Sequence, residues 1–145
     1  MDGTLSIRAF AEADRAPVKA LWVGCGLVVP YNNPDADIDL AAGRENSDVL
    51  VGCAADGSLV ATAMVGHDGH RGWLYYVAVD PALQGQGIGK AAVRAAEDWL
   101  GRHGVWKTNL LVRAENAAVK GFYEALGYTV NPVLCMARKI EDAGG

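Results

Sequence analysis

Val79-Asp80-Pro81-Ala82-Leu83-Gln84-Gly85-Gln86-Gly87-Ile88-Gly89-Lys90 sets three alternating glycines between an apolar run, Trp73 to Val79, and an alanine-rich segment. Glycines at 85, 87 and 89 permit positive φ and let a ligand approach the backbone. A helix starting directly afterwards aims its free N–H groups and the positive end of its dipole into the same space. The stretch therefore reads as a cradle for an anion. A dinucleotide fingerprint is excluded, because the sixth position counted from Gly85 is Lys90. A P-loop is excluded as well: Gly85 lies too close to Gly89-Lys90, and Ala91 supplies no hydroxyl for magnesium.

Working outward, Leu5 to Phe10 alternates apolar with polar or small residues and is expected to be a strand. A helix should follow, capped by Asp14, with Pro17 in its first turn and Val18, Leu21, Trp22 and Cys25 on one face. Tyr31-Asn32-Asn33-Pro34 is a turn, and residues 35–45 suit a short second helix started by Asp35. Val49–Ala54 and Leu59–Val65 are expected strands around an Asp56-Gly57 hairpin turn. A polar loop over 66–72 leads into Trp73–Val79, which reads as a buried central strand ending at Pro81. Residues 87–103 should be helical, with Ile88, Ala91, Ala92, Ala95, Trp99 and Leu100 toward the sheet. Thr108–Val112 is a strand, Ala117–Leu126 a helix, and Tyr128–Arg138 closing strand material. The expected fold class is thus α/β, a mixed sheet covered by helices, in one domain spanning 1–145.

The composition narrows the function. With 13 basic against 17 acidic residues the net charge is −4, which disfavours a general nucleic-acid surface. Between Gln84 and Arg94 the balance reverses: Lys90 and Arg94 occur without an acid, as a phosphate site needs and as a solvated helix face also allows. No apolar stretch approaches the ~20 residues of a membrane span, and Met1-Asp2-Gly3-Thr4 lacks a signal pattern, so a cytoplasmic protein without membrane association is expected. Cys25, Cys53 and Cys135 are odd in number and form no CxxC, so neither disulfides nor a metal site is expected.

Gln84-x-x-Gly87-x-Gly89 resembles the Q/R-x-x-G-x-G/A pyrophosphate loop of the GNAT superfamily of acetyl-coenzyme A dependent N-acetyltransferases. The stretch from Asn116 to Tyr128 resembles that family's second signature, N-x-x-A-x-x-F/L-Y-x-x-x-G-F/Y, with Val119 where alanine is usual. The element order is also that of the GNAT fold. The resemblance implies that Gln84, Gly85, Gln86, Gly87, Ile88, Gly89 and Lys90 hold the pyrophosphate of coenzyme A. It implies too that Val77, Ala78 and Val79 meet the pantetheine arm through their backbones, and that Asn116 contacts that arm. Asn116 is equally a good helix N-cap, and Tyr123 equally a core aromatic.

Acetyl transfer from acetyl-coenzyme A to an amine requires a deprotonated amine, a polarised thioester carbonyl and a stabilised thiolate. Tyr123, pKa ~10 when unperturbed, is the expected proton donor to the sulfur. Asp68 and His70, in the loop entering the central strand, are the candidates for relaying the amine's proton; a plain polar turn explains them too. Tyr75 and Tyr76 should face opposite sides of the sheet by alternation, one of them, Tyr75, toward the acceptor. Trp22-x-x-Cys25, Pro30 to Ile38 and Gly69-His70-Arg71-Gly72 are similar to the bacterial YpeA-type, RimI-like branch. In GNAT folds the first two helices wall the acceptor site, so Trp22, Tyr31, Asn32 and Asp37 are expected to select the amine, a small molecule or a protein lysine or N-terminus; a core Trp22 and a turn-forming Asn32 are the alternative. Val133-Leu134-Cys135-Met136 is apolar enough to pair two copies as a homodimer, or to be core. The rival functional class is a binding module that senses acyl-coenzyme A without turnover.

Overall fold

Four strands in succession, β1 (Ser6–Ala9), β2 (Ser47–Cys53), β3 (Leu59–His67) and β4 (Gly72–Val79), lie side by side antiparallel, and β5 (Thr108–Leu110) adds to β4 in parallel. The computed structural model describes residues 5–141. Four helices cover this sheet: α1 (Arg15–Gly24), α2 (Pro34–Ala41), α3 (Ile88–Arg102) and α4 (Ala117–Ala125). The parallel β4–β5 pair requires a crossover, and α3 supplies it.

Alternation along the strands sends side chains to two apolar layers. Leu50, Ala63, Val65 and Leu74 meet Ala92, Val93, Ala96, Trp99 and Leu100 of α3 and Tyr123 of α4. Val49, Val51 and Ala78 face the other way, onto Val18, Leu21 and Trp22 of α1 and Ile38 and Ala41 of α2. Gly72 opens β4 under α3 because nothing larger fits: a Cβ there would lie 2.5 Å from Leu100 Cδ1. The Asp56-Gly57 turn forms as expected, with Gly57 at φ +87° and its N–H bonded to the Ala54 carbonyl.

Several expectations are corrected. The second helix ends at Ala41 rather than residue 45; Asn33 caps it by accepting from the Ala36 N–H at 3.1 Å, and Asp35 lies in its first turn, where it also meets Lys19 and Arg15. Asp14 precedes α1 without capping it through its side chain, because its carboxylate is taken by Arg8 at 2.7 Å and by the Ala11 N–H. β5 stops at Leu110, two residues early. No strand forms over 128–138; the segment is exposed, with Leu134 at 92% and Met136 at 91%, so the core alternative for Val133–Met136 is excluded.

Candidate active site

The edge of β4 facing β5 is paired over only part of its length. β5 pairs with β4 only at Gly72, Trp73 and Leu74; past Leu110 the chain turns away, so the side of β4 from Tyr75 to Val79 has no ladder there. The main-chain groups of Val77, Ala78 and Val79 lie on this strip, beyond the last β4–β5 pair. One is already engaged: the Val79 carbonyl accepts from the Cys25 thiol at 3.2 Å and from the Gln84 amide at 3.4 Å. Burial pushes the Cys25 thiol pKa up, which keeps it a donor.

The strip runs into the glycine cradle. Asp80 caps a single 3-10 turn, Pro81–Leu83, by accepting from the Ala82 N–H at 2.9 Å. Gly85 and Gly87 then take positive φ, +84° and +82°, and Gly87 is the N-cap of α3 with no side chain capping it. The first helical bond runs from the Ala91 N–H to the Gly87 carbonyl, so Ile88, Gly89 and Lys90 begin the helix ahead of its ladder. Ile88 is buried and can serve a ligand only through its backbone, while Gln86 and Lys90 are exposed. Gly89 departs from expectation: it is helical with no positive φ, and a Cβ there would come within 3.2 Å of the Phe122 ring, which would have to give way by a few tenths of an ångström. That contact docks α4 on the first turn of α3.

Asn116 caps α4, its side chain accepting from the Val119 N–H at 3.2 Å; its exposed amide leaves a ligand role open as well. Tyr123 is buried against the Phe122 and Tyr128 rings, at 4.9 and 5.5 Å between centroids. Burial alone pushes its phenol up to about 12.

A bulge in β4 reshapes the acceptor side. Register with β3 passes from Met64 opposite Tyr75 to Thr62 opposite Ala78, which leaves one extra residue on β4. Tyr76 absorbs it with φ 49°, the single positive-φ non-glycine among the described residues. The alternation expectation for the two tyrosines therefore fails. Tyr75 lies opposite Met64, which packs with the α1–α2 layer, and Tyr76 packs with that same layer, so both face it. Tyr75 is 47% exposed and stacks near Trp73; Tyr76 is half-buried.

Tyr76 is the residue that sequence reasoning left without a role. Its ring stacks on Trp22, 3.8 Å between centroids at 12°, and its hydroxyl donates to Asp37 Oδ2 at 2.7 Å. The Asn32 side chain reaches the same phenol. Burial, then Asp37, push the phenol pKa well above its ordinary value, so it stays a donor. The bulge is pinned from below: the Trp22 Nε1–H donates to Thr62 Oγ1 at 2.9 Å, and the Thr62 hydroxyl donates to the Tyr76 carbonyl at 2.8 Å. Trp22 is fully buried, so the expected contact with the acceptor is corrected to support of Tyr76. Only the Tyr75-Tyr76 doublet hinted at this arrangement.

Tyr31 is exposed, and its hydroxyl accepts from Arg113 Nη2 at 2.5 Å. That bond ties the α1–α2 loop to the connection leading into α4, across the open edge. Asp68 and His70 lie in the loop before β4, and from Trp73 to Val77 is about 13 Å of extended chain; the Asp68 charge acts on Tyr75, whose phenol pKa is pushed up first by burial and then by neighbouring groups that include Asp68. Asp68 closes its own loop, accepting from the N–H groups of Arg71 at 2.8 Å and His70 at 2.9 Å and from Trp73 Nε1 at 3.3 Å. These donors, led by Arg71, hold its carboxyl below the usual range and make it a weaker base. His70 is exposed beside Arg71. Neither side chain is brought to Tyr123 or the cradle. Among the described residues no group of three metal-ligating side chains occurs, all three cysteines are free thiols, and no helix is long and apolar enough to cross a membrane.

Comparison with known proteins matches this arrangement. The model of the acetyltransferase (GNAT) family aligns with residues 16–128. An acetyltransferase of Pectobacterium atrosepticum is 38% identical over 139 residues, covering 95% of this chain and 98% of that protein. An acetyltransferase of Yersinia enterocolitica is 35% identical over 136 residues, covering 94% and 96%. The solved structure of AAC(6')-Iy with a coenzyme A bisubstrate analogue superposes with a TM-score of 0.79 at 18% identity, covering 93% of this chain and 97% of that one, a likeness of fold. An open β4 edge running into an uncapped glycine cradle, carried by a family match over most of the chain, makes this protein a member of the GNAT acetyltransferase family.

Proposed function

We propose that the chain transfers the acetyl group of acetyl-coenzyme A to a primary amine by direct attack, with Tyr123 donating to the departing sulfur. The observation that carries this reading is the unladdered edge of β4, Tyr75 to Val79, leading into the cradle at Gly85–Lys90. Two positive-φ glycines and an uncapped helix start fit a pyrophosphate, and Lys90 adds a positive charge. The free N–H groups of the β4 strip fit the amides of a pantetheine arm and the thioester oxygen, on which negative charge grows during attack. Asn116 stands at the start of α4, where it can share its amide between the helix cap and that arm.

In the reaction the amine nitrogen forms a bond to the acetyl carbon and the carbon–sulfur bond breaks. The amine nitrogen gives its proton to solvent water, the sulfur takes the phenolic proton of Tyr123, and the tyrosinate left behind takes a proton back from solvent. With its pKa at about 12, the Tyr123 phenol is protonated throughout the neutral range, the state a donor needs. Burial against the Phe122 and Tyr128 rings, rather than a charged partner, is what holds that proton in place. The exposed apolar run at Val133–Met136 supports pairing of two copies, and gel filtration would report it.

Thiol release measured over an amine panel, with wild type and Tyr123→Phe, tests the reading. Turnover that falls about 10²-fold or more in the variant, at unchanged coenzyme affinity, is expected. Tight coenzyme binding with no turnover of any amine would favour the sensor module instead.

A further inference from the structure

We infer that the acceptor carries a second cationic centre besides its reacting amine, and that Asp37 holds that second centre; the inference rests on the acetyl-transfer reading above. α2 bears three aspartates, Asp35, Asp37 and Asp39. Asp35 and Asp39, four apart, share one face and are neutralised: Arg15 meets them at 3.1 and 2.6 Å, and Lys19 meets Asp35 at 2.8 Å. Asp37, two residues round the helix, points to the sheet and makes no ion pair among the described residues. Its Oδ2 accepts from the Tyr76 hydroxyl, and Oδ1 remains for a cation.

This carboxylate is built into the acceptor wall rather than laid on the surface. Tyr76 is held by the Trp22 stack and by the bulge that Thr62 pins, and Asn32 flanks the same phenol. Tyr31 and Arg113 close the neighbouring loop against the connection to α4. An ion pair with the attacking nitrogen itself would raise its pKa and keep it protonated, hence unreactive. The pair therefore helps only when the ammonium it holds is a different one. Asp37 is a specificity determinant on this account, and Tyr76 a positioning residue that orients the carboxylate.

The matched probes are 1,5-diaminopentane and 1-aminopentane, which differ only in the second ammonium. Wild type is expected to show a KM at least tenfold lower for the diamine, and Asp37→Asn to bring the two within about twofold, with kcat moving less than KM. Tyr76→Phe should raise the diamine KM by a smaller factor. A wild type without the preference, or an Asp37→Asn protein that keeps it, overturns the inference. Should neither amine be turned over, tryptophan fluorescence titration of the protein with and without coenzyme A must show the same preference and its loss in Asp37→Asn; equal binding of the two amines overturns it. The coenzyme A dissociation constant, taken on the same samples, separates the failures: a wild type that does not bind coenzyme A refutes the cradle, not the role of Asp37.

Discussion

Replacing Thr62 by valine removes one oxygen at the centre of the bulge and keeps the shape of the side chain. The hydroxyl is almost fully buried and serves two partners at once, accepting from Trp22 Nε1–H at 2.9 Å and donating to the Tyr76 carbonyl at 2.8 Å. Valine would leave a buried donor and a buried acceptor without partners. At about 1–3 kcal/mol for each orphaned group, less up to ~1 kcal/mol for the extra apolar carbon, the expected loss centres on about 3 kcal/mol. For a chain of this size that is a fall of about 6–12 °C in Tm. Urea unfolding with an unchanged m-value should report it, and Thr62→Ser, which keeps the hydroxyl and loses one methyl, should cost only about 1 kcal/mol. Far below Tm, Thr62→Val should also raise the acceptor KM more than it weakens acetyl-coenzyme A binding, because the bulge positions Tyr76 and Asp37. A Thr62→Val protein within about 0.5 kcal/mol of wild type would refute the bulge network as a determinant of this fold.

Gly87→Val places a β-branched residue at φ +82°, at a strain of roughly 1–3 kcal/mol; calorimetric titration should show acetyl-coenzyme A affinity reduced at least tenfold in a protein that still unfolds cooperatively. Gly72→Ala drives a Cβ to 2.5 Å from Leu100 Cδ1, a loss of about 1–3 kcal/mol in a denaturant melt; because the clash is with Leu100, the losses of Gly72→Ala and Leu100→Ala should be less than additive in the double variant. The folded pKa of Tyr123, about 12, exceeds its ordinary value of 10.0, so the fold retains a proton that the unfolded chain gives up first. Its contribution to stability is complete below pH 10 and is lost as pH rises toward 12, and Tyr123→Phe should shallow the alkaline decline seen by circular dichroism.

What could be read from the chain alone was local. Gly85 and Gly87 advertise positive φ because no other residue adopts it cheaply, and both have it. The Asp56-Gly57 turn, the cap at Asn116 and most of the apolar stripe of α3 follow from groups within a few residues of one another, although α3 buries Val93 and Ala96 where Ala91 and Ala95 were expected. Gly89 shows the limit of such reading: its glycine was legible as a need for space, but the occupant, Phe122, belongs to another helix. Tertiary structure alone decided three things. It ended the β4–β5 ladder at Leu74, put one extra residue into β4 so that Tyr75 and Tyr76 share a face, and joined Tyr76 to Asp37 across 39 residues of chain. A bulge depends on how two strands close against each other and against the layer beneath, and an ion's partner depends on which cations the fold has already used. Neither is a property of any short stretch of sequence: the cradle glycines could be named before folding, and so could Trp22, Asn32 and Asp37 for the acceptor wall, but the meeting of those three at Tyr76 was decided only by folding.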